Sequence, residues 1–326
     1  LRHAIRALPC PHAPGQDFHE NEIVYNHLQP VRYAWKMLLS AGVVGGLAIL
    51  LRRRWLGRMA IAIQITGLCL LTVGMALRWQ IAGRAPAANF YESLVLLGWG
   101  VAVLSVLTLV VSRDRIVPVN AALLAGVFLA MADMMPIDPW IRPLAPVLRN
   151  TAWLSIHVPV IMLGYAILAE AMILGHVQLT AMALGGGPGP FSHKVDRQIH
   201  ACLLAGSFLL LAGILTGSMW ARSSWGRYWG WDPKEVWSLA ALMGYMAILH
   251  ARSQGWFGRY RTAVASVLGI WLLVCTYLVV NFVLPAGLHS YAFGSGDILT
   301  WIMVSLGLEM AYLAISSYLA FGRSRP

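Results

Sequence analysis

Long apolar stretches alternate with short polar breaks along this chain. The first runs from about Tyr33 to Leu51 and stops at Arg52-Arg53-Arg54, and the second covers about Met59–Leu77. Others follow at about Ser93–Val111, Val117–Met134, Thr151–Met182, Ile199–Met219, Val236–Ala251, Thr262–Pro285 and Ile298–Phe321. A bilayer core needs roughly 20 apolar residues per helical crossing. Backbone in lipid must satisfy its own hydrogen bonds, which leaves helices or closed barrels. The pattern therefore predicts an all-α, polytopic transmembrane bundle of about nine spans, with its two ends on opposite sides of the membrane.

Composition agrees. The chain is 59% hydrophobic and 11% charged, with a mean hydropathy of +0.67, which excludes a soluble domain of this length. The net charge of +11 is scattered between the apolar stretches and gathers on no single face, so it points to anionic lipid and away from nucleic acid. Placing the 52–58 break in the cytoplasm puts the larger share of Arg and Lys on that side, as the positive-inside bias requires. Residues 1–32 then read as an extracytoplasmic polar arm, 33–321 as the membrane domain and 322–326 as a cytoplasmic tail. His3, His12, His19 and His27 lie in the arm, which reads as solvated or packed on a partner. The chain opens without Met or a signal peptide and is expected to be the C-terminal part of a longer polypeptide. Of Cys10, Cys69, Cys202 and Cys275, none forms a CxxC pair, and the last three fall within apolar stretches as small hydrophobes.

One break differs from the rest. Residues 220–237 read WARSSWGRYWGWDPKEVW and hold five of the chain's 14 tryptophans: Trp220, Trp225, Trp229, Trp231 and Trp237. Interfacial anchoring accounts for one or two of these. The orientation above makes this stretch an extracytoplasmic loop, and its cations Arg222, Arg227 and Lys234 run against the charge bias. Aromatic rings beside cations suit a large, flat, anionic ligand. Asp232-Pro233-Lys234-Glu235 also reads as a helix start, with Asp at the N-cap and Glu three positions on.

Three histidines stand out by position. His157 lies one to two turns into the fifth span, on the side of the Trp-rich loop. His289 follows the eighth span on that same side. His250 lies about fifteen residues into the seventh span, more than roughly 20 Å deeper at ~1.5 Å per residue. Imidazoles on both faces of a flat ring hold an iron porphyrin six-coordinate, and a histidine inside the membrane is a functional candidate by default. Asp133, Glu170 and Glu309 read as neutral or paired within the bundle, and Glu92 as holding its loop toward the platform.

Taken together, these motifs resemble those of a known family. Trp225-Gly-Arg-Tyr-Trp-Gly-Trp-Asp232 resembles the signature of the WWD-motif haem-handling membrane proteins, and within them the CcsA branch or the C-terminal half of a fused CcsBA cytochrome c synthase. Gly83–Ser93 and Trp153–Pro159 resemble further stretches of that family, and the order His157, Trp loop, His250, His289 fits its arrangement. The resemblance covers roughly residues 22–320. It implies a lyase of cytochrome c biogenesis in the bacterial inner membrane, joining the vinyls of haem b to the Cys-x-x-Cys-His thiols of an apocytochrome c on the periplasmic side. It also implies that His157 and His289 are axial ligands of haem over Trp225, Trp229, Trp231, Asp232 and Trp237, with Arg222, Arg227 or Lys234 toward the propionates. His250 would belong to a deeper haem site, completed by a second histidine from a CcsB-like N-terminal half; His176 is a weaker alternative there. A thiol-reducing periplasmic protein is a further implied partner. No covalent nucleophile is needed.

Three rival readings exist. A haem exporter or chaperone would use the same binding residues without ligation. A b-type electron-transfer cytochrome commonly carries pairs of histidines about a dozen residues apart on one helix, a pattern missing here. A secondary transporter unrelated to haem would be expected to show internal repeats.

Overall fold

The computed structural model describes residues 16–111, 115–135, 137–141, 152–185, 189–284 and 298–321. The described residues are mainly helical, without strands. In chain order the helices are α1 (Gln16–Leu28), α2 (Pro30–Leu50), α3 (Arg54–Ala82), α4 (Phe90–Val111), α5 (Ile116–Met134), α6 (Ala152–Ala183), α7 (Pro190–Trp225), α8 (Pro233–Ser253), α9 (Arg259–Phe282) and α10 (Ile298–Phe321). Within α9, residues Cys275–Val279 form one π-helical turn.

Eight helical stretches among the described residues are long and apolar enough to cross a bilayer. The multi-pass membrane character expected from the sequence stands. The expected seventh span, Val236–Ala251, is helical as α8 but is not among the eight. Lys234, Glu235, His250 and Arg252 sit in its first and last turns and shorten its apolar stretch. The expected polar arm also differs: residues 16–28 form a helix that packs on α3, with Asn21 Nδ2 donating to Gln80 Oε1 at 3.2 Å. The break before α2 falls at Gln29, in a left-handed conformation (φ 40°) ahead of Pro30.

Two groups of helices share one core. In the first, α2 packs against α3 and α5, and α4 against α5. In the second, α6 lies along α7 and α9, with α8 against α7 and α9. Contacts between α4 and α6 join the groups, and Leu38, Leu94, Leu129, Leu168, Leu174 and Leu210 are fully buried in the shared core. Lipid tails are as apolar as leucine, so helices in membranes associate through close van der Waals approach at small residues. Glycines supply that approach between α6 and α7. A Cβ on Gly164 would meet Leu210 N at 3.1 Å, one on Gly206 would meet Leu168 N at 3.2 Å, and one on Gly213 would meet Ile161 Cα at 3.0 Å.

Several charged groups among the described residues are paired inside the fold. Asp133 accepts from Arg32 Nε at 3.2 Å and Trp35 Nε1 at 3.0 Å, and Glu309 meets His176 Nε2 at 2.9 Å. Arg252 grips Asp196 through two 2.7 Å contacts, fastening the end of α8 to the start of α7. Glu170 is fully buried on α6, and neither carboxyl oxygen has a protein hydrogen-bond partner.

Candidate functional site

The Trp-rich stretch is a loop only from Gly226 to Asp232. Trp220 and Trp225 belong to the last turns of α7, and Trp237 to the first turns of α8. The expected 18-residue loop is thus a seven-residue turn between two helix ends. Gly226 ends α7 in a left-handed conformation (φ 76°), its N–H returning to Arg222 O at 3.1 Å. At the far side a capping box starts α8. The Asp232 carboxylate accepts from Lys234 N at 2.9 Å, and Glu235 Oε2 accepts from Asp232 N at 3.2 Å and Gly230 N at 2.7 Å. Asp232 therefore caps α8, as the Asp-Pro-Lys-Glu order suggested.

The turn helps to roof a cavity of about 140 Å³ between α6, α7, α8, α9 and the break that precedes α4. His157 and Tyr165 of α6, Trp220 of α7, Trp229 of the turn, Lys234 of α8 and Tyr277 of α9 contribute to its largely apolar lining. Such a lining with a few converging polar groups is how small-molecule sites are built.

His157 is fixed from two sides. Its Nδ1 lies 2.8 Å from Gly213 O. A carbonyl only accepts, so Nδ1 carries a hydrogen, and in the neutral ring the lone pair is on Nε2. The ring stacks parallel to Trp220, with centroids 6.3 Å apart and planes at 6°, and it rests on Gly217, where a Cβ would meet His157 Cε1 at 2.7 Å. Trp220 in turn packs edge-on to Trp225 at 4.6 Å.

The other expected site residues separate into groups. Trp229 lines the cavity and packs edge-on to Trp231 at 5.9 Å. Trp231 is 70% exposed and holds a left-handed backbone (φ 57°), a strained state for a residue with a bulky side chain. Trp225, Trp231, Trp237, Arg222 and Arg227 lie outside the cavity lining. Arg222 Nη1 donates to Gly226 O, and Arg227 Nη1 pairs with Glu235 Oε1 at 3.3 Å, so both brace the turn. His250 is at the opposite end of α8, exposed, and edge-on to Trp256 at 5.7 Å. His289, Cys10 and the 322–326 tail lie outside the described residues.

Several cavity residues carried no expectation from the sequence. Thr276 and Tyr277 of the π-helical turn of α9, and Asn281 in the turn after it, line the cavity. The Tyr277 hydroxyl meets Ser93 Oγ at 2.7 Å, and its ring stacks on Phe90 at 5.0 Å. Asparagine within an apolar stretch was the available signal for Asn281; a π turn leaves none. The break before α4 did read correctly. Glu92, fully buried, accepts from Arg78 Nε at 3.0 Å, Arg84 Nη1 at 2.8 Å and Ala88 N at 2.7 Å, holding residues 84–89 over the cavity.

Comparison with known proteins decides the family. The model of the cytochrome c assembly protein family matches residues 87–289, a range that contains the whole cavity lining. The chain belongs to that family. It is 35% identical over 252 residues to the cytochrome c biogenesis protein CcsA of Prochlorococcus marinus strain MIT 9215, a match covering 68% of this chain and 81% of that protein. It is 37% identical over 232 residues to protein NrfI of Wolinella succinogenes, covering 68% of this chain and 25% of the relative. Among solved structures, the cytochrome c haem lyase CcmF shares the fold with a TM-score of 0.60 at 19% identity, covering 93% of this chain and 54% of that one. The chain is a CcsA-family protein of cytochrome c biogenesis, with the multi-pass helical architecture described above.

Proposed function

We propose that this CcsA-family protein holds haem in the cavity beside His157 and presents it to an apocytochrome c for covalent attachment. The observation that carries the reading is the 2.8 Å contact between His157 Nδ1 and Gly213 O. The Nδ1–H is committed to Gly213 O, leaving the ring's electron pair on Nε2, the nitrogen that takes haem iron, inside a mostly apolar cavity. His289, just past α9, is the proposed second axial ligand, and Trp229 and Trp220 give the macrocycle flat apolar walls.

The chemistry asked of the protein is largely positioning. Each thiol of the Cys-x-x-Cys-His segment adds across a vinyl double bond, sulfur to one carbon and hydrogen to the other, with no net redox change. Holding the vinyls at the cavity mouth raises the effective concentration of the incoming thiols, and the axial imidazole holds iron until the substrate's own histidine replaces one ligand. Haem b is the form that carries both vinyls. The cavity faces the periplasm of a bacterial inner membrane in this account, and a thiol-reducing protein keeps the substrate cysteines reduced.

His250 fits a second, deeper site. Its exposed position on α8 is one that a partner helix would cover, and a CcsB-like half is the proposed source of the opposing ligand. Co-expression of the chain with a CcsB-like half and an apocytochrome c, scored for covalent haem on a denaturing gel, tests the assignment. Covalent product that falls at least about tenfold in His157→Ala is expected. Haem-loaded protein that yields no covalent product would make it a carrier.

A further inference from the structure

The sequence leaves Arg222, Arg227 and Lys234 as equivalent candidates to meet an anionic ligand, and the structure separates them. The Arg222 guanidinium is exposed, bonded to Gly226 O and 5.8 Å from the centre of the Tyr228 ring. Arg227 lies 5.7 Å from the centre of the Trp225 ring, pairs with Glu235 and presses on Gly230, where an added Cβ would overlap its guanidinium. Neither reaches the cavity. Lys234 lines it, and its Nζ donates to Asn281 Oδ1 at 3.3 Å. Asn281 is itself buried and held by its Nδ2 donating to Tyr277 O at 2.6 Å, so the π-helical turn of α9 sets the lysine's partner. Of the neighbouring carboxylates, Asp232 caps α8 and favours the charged form of Lys234, and Glu235 holds Gly230 N, Asp232 N and the Arg227 guanidinium.

We propose that Lys234, positioned by Asn281, is the carboxylate anchor of the cavity, so that the ligand is bound as a flat apolar body with an acidic edge. The inference rests on the haem reading, in which the acidic edge is a propionate. An ammonium donates up to three hydrogen bonds and pairs with a carboxylate as a point charge, which suits an edge whose exact angle varies. Burial pushes Lys234 down to about 8, with Asp232 acting in the opposite direction. The anchor is therefore charged at pH 7 and discharges as pH rises through about 8. A bound carboxylate favours the charged form, so carboxylate affinity falls above that pH by up to about tenfold per unit.

The test uses the full chain in detergent and two probes, haem and its propionate dimethyl ester, titrated by absorption. Wild type is expected to prefer haem by about tenfold or more at pH 7, and to lose that preference as pH rises past about 8. Lys234→Met removes the preference at every pH. Lys234→Arg keeps it and loses the change near pH 8, which a purely structural lysine would not do. Arg222→Met leaves both intact. Equal binding of the two probes by wild type, or a preference that survives in Lys234→Met, overturns the anchor while the haem reading stands. Absence of a specific spectrum with either probe overturns both.

Discussion

At the scale of single residues, the cavity depends on small contacts that leave no slack. Gly217 has no side chain where the His157 ring lies, and a Cβ there would stand 2.7 Å from Cε1. Gly217→Val is expected to push the imidazole off Trp220 at a cost of about 1–3 kcal/mol. Haem titration by absorption should show a weakened complex in that variant, with the helix content by circular dichroism unchanged. Gly46 meets nothing within 4 Å, so Gly46→Ala is the matched control. His157 was legible in the sequence by its place near a helix start; its tautomer was not. That depends on Gly213, 56 residues away, whose carbonyl reaches the ring because α6 and α7 approach at glycines.

At the scale of elements, polar clusters decide which segments stay in place. Glu92 neutralises one of two arginines and accepts a backbone N–H as well. Replacing it with Gln takes the carboxylate away from the buried Arg78, and breaking a buried pair in this way costs about 3–5 kcal/mol. A lower apparent melting temperature in detergent, together with loss of haem binding, is the expected outcome for Glu92→Gln. The helix α10 is held differently. Its docking to α6 runs through Glu309 on His176 and through Tyr312, which donates to His176 O at 3.0 Å and meets Thr180 Oγ1 at 2.9 Å. His176 Nδ1 is turned to Met172 O at 3.0 Å, so a single proton sits between Nε2 and the Glu309 carboxyl. Glu309→Leu should loosen α10 by about 1 kcal/mol, whereas Glu309→Gln, whose amide donates to Nε2, should retain most of the docking. Thermal unfolding of the two variants, with and without His176→Ala, measures the difference.

At the scale of the whole molecule, the sequence conveys class better than architecture. Apolar length alone located α2, α4, α5, α6, α9 and α10 within a few residues, because bilayer thickness sets the span, whereas α3 and α7 run on past their apolar stretches at both ends. It located α8 as well, although charged residues at both ends keep that helix out of the eight that are long and apolar enough to cross a bilayer. The Trp-rich stretch read as a long loop because aromatic and polar residues mark interfaces. In the fold, α7 carries Trp220 and Trp225 to its end, and a capping box begins α8 at once. The chemistry of the site, imidazole beside aromatic rings and cations, was legible from residue types. Which cation enters the cavity was not, since that depends on the Arg227–Glu235 pair and on the π turn that places Asn281.

The central claim is that His157 binds the iron of a haem held in this cavity. The measurement is the visible absorption and electron paramagnetic resonance of haem-loaded protein, comparing wild type, His157→Gly and His157→Gly with added imidazole. Wild type is expected to give a low-spin spectrum, the variant a high-spin or haem-free spectrum, and added imidazole to restore the first by filling the space left by the ring. A low-spin spectrum unchanged by His157→Gly in folded protein would contradict that claim.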